Sequence, residues 1–144
     1  ILHDIGVQSF VFSKISTFSE VVWDKNIVDI DSKCRPDALM KISSNGQFVG
    51  IEYERWRKNL KRIYSSFVNH SNQMVGGHYK GVYFIFNSES DKIHYQELFN
   101  SERWPLFSQH AGTGKLSHTG QFFYPDKIEN LRRGFVFEVL PCEL

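Results

Sequence analysis

The sequence has few of the residues that mark several classes of protein. Its 144 residues include two cysteines and four prolines. Cys34 and Cys142 are too few for a disulfide framework and lack the C-x-x-C spacing, so we expect a reducing compartment, the cytoplasm. No stretch approaches the roughly 20 apolar residues that a membrane-spanning helix needs, and the first residues lack the basic start of a signal peptide. These features exclude a disulfide-stabilised secreted scaffold and a helical membrane protein.

Positive and negative side chains are nearly equal in number. Seventeen Lys and Arg against 16 Asp and Glu give a net charge of +1, so any affinity for nucleic acid must come from local clusters of charge. Aromatic residues are plentiful at 15%, with 13 Phe, and the hydrophobic content of 41% excludes intrinsic disorder. We expect a single domain over residues 1–144 with an aromatic core. Because the first residue is not Met, we expect this domain to be part of a longer protein.

The first part of the chain predicts a helix and then strands. Apolar spacing favours a helix from Leu2 to Ile15, and Val21–Trp23 reads as a strand, followed by strand and then loop over Asp24–Lys33. The clearest local pattern is a hairpin whose strands are Ala38–Ile42 and Gln47–Glu54. Asn45-Gly46 between them supplies the positive φ angles of a tight turn.

After Glu54 the apolar spacing becomes helical and predicts a helix to about Asn72, ended by Gly76-Gly77. Its apolar stripe consists of Trp56, Leu60, Ile63, Tyr64 and Phe67, and we expect Trp56, Tyr64 and Phe67 in the core rather than as a base-stacking platform. The apolar run Gly81–Phe86 reads as a strand buried on both faces. Further along we predict a helix over Asp91–Asn100 and strands at Trp104–Gln109, Gln121–Tyr124 and Phe135–Leu140. The pattern predicts an α/β fold with a central mixed sheet flanked by helices.

Three carboxylates converge at one end of the predicted hairpin. Asp37 begins its first strand, and Glu52 and Glu54 close the second on one face. Such a group of oxygen ligands suits Mg²⁺ or Mn²⁺, which can activate a water and neutralise a phosphate oxygen, the requirements of phosphodiester hydrolysis. The alternative is a polar strand end at which Glu54 and Lys58 form a surface ion pair worth about 0.3 to 0.5 kcal/mol.

Basic residues follow the carboxylates directly. A cluster of five cations in eight residues would form a surface for the phosphates of DNA beside the acidic site: Arg55, Arg57, Lys58, Lys61 and Arg62. The alternative is an ordinary solvated helix face.

The chain contains Pro36-Asp37, then 14 residues, then Glu52-Tyr53-Glu54 followed by a predicted helix. This pattern resembles the PD-(D/E)xK nuclease superfamily. The hairpin, the helix and the strand at Val82–Phe86 are similar to that superfamily's restriction-endonuclease-like core. Within it, Arg35-Pro36-Asp37-Ala38-Leu39 and the Glu-x-Glu before a basic helix look most like MOBC-type plasmid relaxases and replication-relaxation proteins. His3–Val7, leading to Trp23, is similar to the segment ahead of the motif there.

The resemblance implies roles for single residues. Asp37 and Glu52 would bind the metal, with the main-chain carbonyl of Tyr53 as a further ligand. Glu54 stands where the superfamily usually has Lys and would ligate or orient water, as in Glu-x-Glu variants. Lys58 is the first candidate for the missing positive charge, and Lys80 is the second.

The function implied is that of a metal-dependent DNA endonuclease, a relaxase-like enzyme that nicks a plasmid or mobile-element origin by attack of water. Its partners would be DNA and other mobilisation or replication proteins. The alternative is a catalytically silent DNA-binding or assembly module of the same fold in plasmid replication or mobilisation.

Two other patterns are weaker. Zinc bound by His70, His78, Cys34 or Cys142 is disfavoured because no ligand pair has finger-like spacing, and His70 is instead expected to reach a phosphate. Ala111–Leu116 imitates a phosphate-binding loop, but Gln109 replaces its first glycine and Leu116 its Ser or Thr, so we reject it.

Overall fold

The fold is seen in a computed structural model that describes residues 6–8, 10, 18–31, 34–42 and 46–140. Residues 6–8 and 10 are helical. The strands and longer helices that follow are β1 (Phe18–Trp23), β2 (Ala38–Ile42), β3 (Phe48–Glu54), α1 (Leu60–Val75), β4 (Gly81–Phe86), α2 (Glu89–Phe99), β5 (Trp104–Gln109), β6 (Leu116–Phe123) and β7 (Phe135–Val139). No helix within these ranges is both long and apolar enough to cross a membrane.

Five strands form the central sheet in the order β1-β2-β3-β4-β7. The first three pair antiparallel, whereas β3, β4 and β7 run parallel to one another. Helix α1 connects β3 to the parallel strand β4, because parallel neighbours need a long crossover connection. Strands β5 and β6 form a separate two-stranded antiparallel sheet. The predicted α/β fold with a central mixed sheet flanked by helices is therefore confirmed.

Each face of the sheet buries its own apolar cluster. On one face, alternate β4 residues such as Phe84 and Phe86 pack with α1 and α2. Phe67 of α1 lies at the centre, its ring 5.7 Å from the ring of Phe84 and 5.3 Å from that of Trp104. The other face carries a smaller cluster that includes Ile51 and Tyr53 of β3 with Val7 and Phe10 of the N-terminal helical residues. The expected aromatic core is on the first face.

Several predicted boundaries hold, because local signals fix them. Strands β2, β4 and β5 have the predicted limits, and β1, β3, β7 and α2 differ from them by a few residues. Gly46 has a φ of +71°, as the hairpin turn requires, while residues 43–45 of that turn lie outside the described residues. Most of the helix predicted over Leu2–Ile15 also lies outside them.

Other expectations were wrong. Helix α1 begins at Leu60, because the side chain of Asn59 accepts a hydrogen bond from the Arg62 N–H at 3.0 Å and caps the helix. Trp56 therefore stands in the preceding loop, where it is 70% exposed, and Leu60 is 48% exposed. The segment after β1 forms a 3-10 helix, Asp24–Asn26, and not a strand. Strand β6 begins five residues earlier than predicted, because its pairing with β5, and not alternating hydrophobicity, extends it.

Candidate active site

The hairpin of β2 and β3 brings Asp37 beside Glu52. Ala38 pairs with Ile51, so the residue before Ala38 lies next to the residue after Ile51. The Asp37 N–H donates to the Ile51 carbonyl at 2.8 Å, and its Oδ2 accepts from the Tyr53 N–H at 2.8 Å. These bonds fix the Asp37 carboxylate against the last residues of β3, as expected from the hairpin.

Glu52 and Glu54 face α1. They alternate along β3 with Ile51 and Tyr53, which belong to the cluster on the opposite face. The N–H and the carbonyl of a strand residue point toward the same edge, so the Tyr53 carbonyl, like its N–H, faces the start of β2 where Asp37 lies. The end of β3 therefore brings together the Asp37 and Glu52 side chains and the Tyr53 carbonyl, which the resemblance names as metal ligands.

Glu54 is buried, with 1% of its surface exposed. Its Oε1 accepts from Lys58 Nζ at 3.0 Å, and its Oε2 accepts from the Tyr95 hydroxyl at 3.0 Å. Burial and the Glu54 carboxylate raise the pKa of Tyr95 far above its usual range, so the phenol keeps the proton that it donates. The alternative of a surface Glu54–Lys58 pair is wrong: the pair forms, but its carboxylate lies in the interior.

Glu52 contacts a buried histidine. His70, in α1, is 1% exposed, and its Nε2 lies 3.2 Å from Glu52 Oε1. Its Nδ1 lies 2.6 Å from the hydroxyl of Tyr79. An ionised carboxylate can only accept, so we assign the ring proton to Nε2, and Nδ1 then accepts from Tyr79. Glu52, His70 and Tyr79 form a chain of hydrogen bonds from the core to the end of β3.

Burial dominates the charge state of His70. Desolvation lowers its pKa from 6.5 to about 4, although the carboxylates of Glu54 and Asp37 favour the charged form. The imidazole is neutral at pH 7, and its contact with Glu52 is a hydrogen bond to a carboxylate and not an ion pair. The earlier expectation that His70 reaches a phosphate does not fit this position, because both ring nitrogens have partners inside the protein.

A cavity of about 570 Å³ opens beside these groups, between α1 and the β5–β6 hairpin. Glu52, His70 and Phe107 of β5 are among the residues that line it. Its lining also includes three cations, Arg35, Lys58 and Arg62, and the polar side chains of Ser65, Ser66 and Asn69. A cavity lined by one carboxylate and three cations has the charges needed to hold a phosphodiester and a divalent cation together.

The five predicted DNA-binding cations do not share one helix face. Arg55, Arg57 and Lys58 precede α1 in the loop after β3, and only Lys61 and Arg62 lie in the helix. Arg55 stacks over the Trp56 ring at 4.7 Å. Arg57 binds Asp91 Oδ1 at 2.9 Å, and Lys61 Nζ donates to the Leu116 carbonyl at 3.3 Å. Lys58 and Arg62 are the members of this set that line the cavity.

Lys80 does not reach the site. It precedes the first residue of β4, whereas Glu54 lies opposite Phe86 at that strand's far end. Six residues of strand separate the two by roughly 20 Å. Lys58, whose Nζ lies 3.0 Å from Glu54 Oε1, is the lysine next to the carboxylates at the end of β3.

The chemistry of the donors fits Mg²⁺ or Mn²⁺ through two carboxylates and a main-chain oxygen. Within the described ranges, no three side chains of His, Cys, Asp and Glu converge into a ready metal-binding group. Mg²⁺ often binds through one or two carboxylates with waters and substrate phosphate, and Asp37 and Glu52, with the Tyr53 carbonyl, fit that mode. Glu54 fits less well as a ligand, because both of its oxygens accept hydrogen bonds from protein groups.

Among the described residues, neither of the two weaker patterns brings its residues together as a binding site. His78 is exposed at the end of α1 while His70 is committed to Glu52 and Tyr79, and Cys142 lies outside the described residues. Ala111–Leu116 forms the tip of the β5–β6 hairpin and the first residue of β6. A phosphate-binding loop leads from a strand into a helix, so this position agrees with its rejection.

Reasoning from the sequence missed His70 in its actual role, and Tyr79 and Tyr95 altogether. A signal existed for His70, because it lies three residues after Phe67 on the apolar stripe of α1, where a polar side chain needs a partner. Nothing local marked the two tyrosines, which reach the site only through the packing of α2 and the segment before β4.

Comparison with known proteins adds no relative to this picture: no protein-family model, curated protein or solved structure matches the chain.

Proposed function

We propose that this chain is a metal-dependent DNA endonuclease, a relaxase-like enzyme that nicks one strand at a plasmid or mobile-element origin by attack of water. The observation that carries the proposal is the placement of Asp37 beside Glu52 on the hairpin, with Glu52 and Lys58 lining the same cavity. The order β2, β3, α1, β4 supports the restriction-endonuclease-like core that the Asp37 and Glu52-Tyr53-Glu54 motif implies. Its place of action would be the cytoplasm, with other mobilisation or replication proteins as partners.

The proposed roles follow from the contacts of each residue. Asp37 and Glu52, with the Tyr53 carbonyl, would hold Mg²⁺ or Mn²⁺, which supplies an activated water and neutralises phosphate charge. Lys58 would stabilise negative charge on the scissile phosphate. Glu54 would keep the Lys58 ammonium in place through the 3.0 Å bond between them. Arg62, and Arg55 outside the cavity, would bind neighbouring phosphates.

The test is cleavage of supercoiled plasmids, including candidate origins, with Mg²⁺, Mn²⁺ or EDTA. We expect metal-dependent conversion to open circles by the wild-type protein and none by the Asp37→Ala/Glu52→Ala double variant. Glu97→Gln, which changes an exposed acid on α2, is the matched control and should cut like the wild type. Cleavage by the double variant would refute the assignment of Asp37 and Glu52.

Two observations favour a second candidate, a catalytically silent DNA-binding or assembly module. Both carboxylate oxygens of Glu54 accept hydrogen bonds from protein groups, Lys58 and Tyr95. Among the described residues, no three side chains of His, Cys, Asp and Glu form a metal-binding group. A silent module would bind origin DNA equally well in EDTA and in Mn²⁺, and Asp37→Ala would not alter that binding. The endonuclease hypothesis predicts Mn²⁺-dependent cleavage of DNA, and the silent-module hypothesis predicts none.

A further inference from the structure

His70 is an unusual occupant of its position. It lies in the interior of α1 at 1% exposure, beside the ring of Phe84 at 5.3 Å. Burying an imidazole costs free energy unless its nitrogens find partners, and a leucine at this point of the stripe would carry no such cost. The partners that His70 finds are Glu52, at 3.2 Å, and Tyr79, at 2.6 Å.

Glu52 differs from Glu54 in what surrounds it. Its side chain is 15% exposed and lines the cavity, so the carboxylate stands at the boundary between core and solvent. A glutamate has three side-chain torsions, and a carboxylate in such a position adopts several orientations unless a neighbour selects one. The Nε2–H of His70 is directed at Oε1 and is one such neighbour, acting from inside the protein.

Tyr79 supports the direction of the His70 donor that Glu52 requires. Its side chain is 3% exposed, and burial together with the charge of Glu52 keeps the phenol protonated by raising its pKa far above the usual range. With the imidazole proton on Nε2, facing the Glu52 carboxylate, the phenol can donate its own proton to Nδ1 of His70. Removing the hydroxyl would take away a donor that stabilises this tautomer.

We propose that His70 and Tyr79 are positioning residues that orient the Glu52 carboxylate toward the cavity and so determine its strength as a metal ligand. The proposal rests on the proposed function, in which Glu52 binds the cation. Groups that fix the orientation of a metal ligand commonly change metal affinity by 10- to 100-fold when they are removed. In this protein, the hydrogen bonds from Tyr79 to His70 and from His70 to Glu52 would fix the orientation of a carboxylate ligand.

The experiment measures Mn²⁺ affinity by calorimetry for the wild-type chain and for His70→Leu, His70→Gln and Tyr79→Phe. We expect His70→Leu to bind Mn²⁺ about 10- to 100-fold more weakly. His70→Gln, which keeps an N–H donor near the position of Nε2, should recover most of that loss. Tyr79→Phe removes a single hydroxyl and should weaken binding by roughly three- to tenfold. Each variant is first shown to be folded by its thermal unfolding transition.

A metal-free readout accompanies the calorimetry. The ¹⁵N shifts of His70 in the wild-type chain should show a proton on Nε2 and none on Nδ1, and Tyr79→Phe should reduce that preference. His70→Gln binding as weakly as His70→Leu, or a proton on Nδ1, would overturn the proposal. So would equal Mn²⁺ affinity in wild type and a folded His70→Leu, whereas failure of the wild type to bind Mn²⁺ would overturn the proposed function as well.

Discussion

Replacing Lys58 with Met tests whether the Glu54–Lys58 pair belongs to the interior. Met keeps most of the length of the side chain and removes its charge. Glu54, at 1% exposure, would then keep its bond from Tyr95 but lose the donor at Oε1, 3.0 Å away. An ionised carboxylate left without its cation in the interior is strongly unfavourable, so the variant should be less stable than the wild type.

The size of the effect follows from the exposure of the two partners. Breaking a fully buried pair costs about 3 to 5 kcal/mol, and an exposed pair about 0.3 to 0.5 kcal/mol. The Lys58 side chain is 30% exposed, so water replaces part of its contribution. We therefore expect a loss of about 2 kcal/mol in the free energy of unfolding, equivalent to a decrease of roughly 6 °C in Tm for a chain of this length.

Urea unfolding of Lys58→Met and Lys92→Met makes the comparison direct. Lys92 pairs with Glu89 at 3.7 Å, and the Glu89 side chain is 64% exposed, so its loss should change the free energy of unfolding by less than about 0.5 kcal/mol. The double variant Glu54→Gln/Lys58→Met removes both charges and should be more stable than Lys58→Met alone. Equal losses for the two lysine variants would refute the claim that the Glu54 carboxylate is desolvated.

Three further predictions concern other parts of the molecule. Phe67→Ala should lower the free energy of unfolding by about 3 to 5 kcal/mol, because Phe67 is fully buried among aromatic rings; a loss below about 1 kcal/mol in urea unfolding would contradict that packing. Trp56→Ala should change the free energy of unfolding by less than about 0.5 kcal/mol, because Trp56 is 70% exposed; a larger loss would mean that Trp56 packs in the core. Between pH 6.5 and 4 the unfolded chain binds a proton at His70 that the folded chain does not, so wild-type stability should fall as the pH is lowered, with a contribution near 3 kcal/mol by pH 4. Urea unfolding at pH 7.5 and 5 should show a smaller loss for His70→Gln, and identical losses would mean that His70 does not titrate as a buried neutral group.

The sequence by itself determined those parts of the fold that rest on short-range signals. Asn45-Gly46 between two apolar runs predicts the hairpin, and with it the neighbourhood of Asp37 and Glu52, and the observed pairing of β2 with β3 agrees with it. The apolar run Gly81–Phe86 after a helix and Gly76-Gly77 predicts the parallel strand beside β3. Because strand side chains alternate, the shared face of Glu52 and Glu54 also followed from their spacing alone.

Tertiary structure decided what each acidic side chain does. Whether Glu54 stands in solvent or in the core depends on α2, which brings Tyr95 to it from 41 residues away. The partner of Glu52 is fixed by the docking of α1 on the sheet, which places His70 against it, and by Tyr79 behind His70. The cavity beside them exists because the β5–β6 hairpin packs on α1 and not at the edge of the central sheet.

The physical reason for this division is the range of the interactions. Turn chemistry, alternation and capping act within a few residues, so they can be recognised in a linear pattern. The start of α1 was predicted too early because the capping residue Asn59, itself a local signal, was not recognised. Burial and hydrogen bonds between side chains depend on which distant surfaces meet. The sequence therefore determined where the carboxylates lie on the hairpin, and only the packed fold decided that one of them holds a lysine and another a neutral histidine.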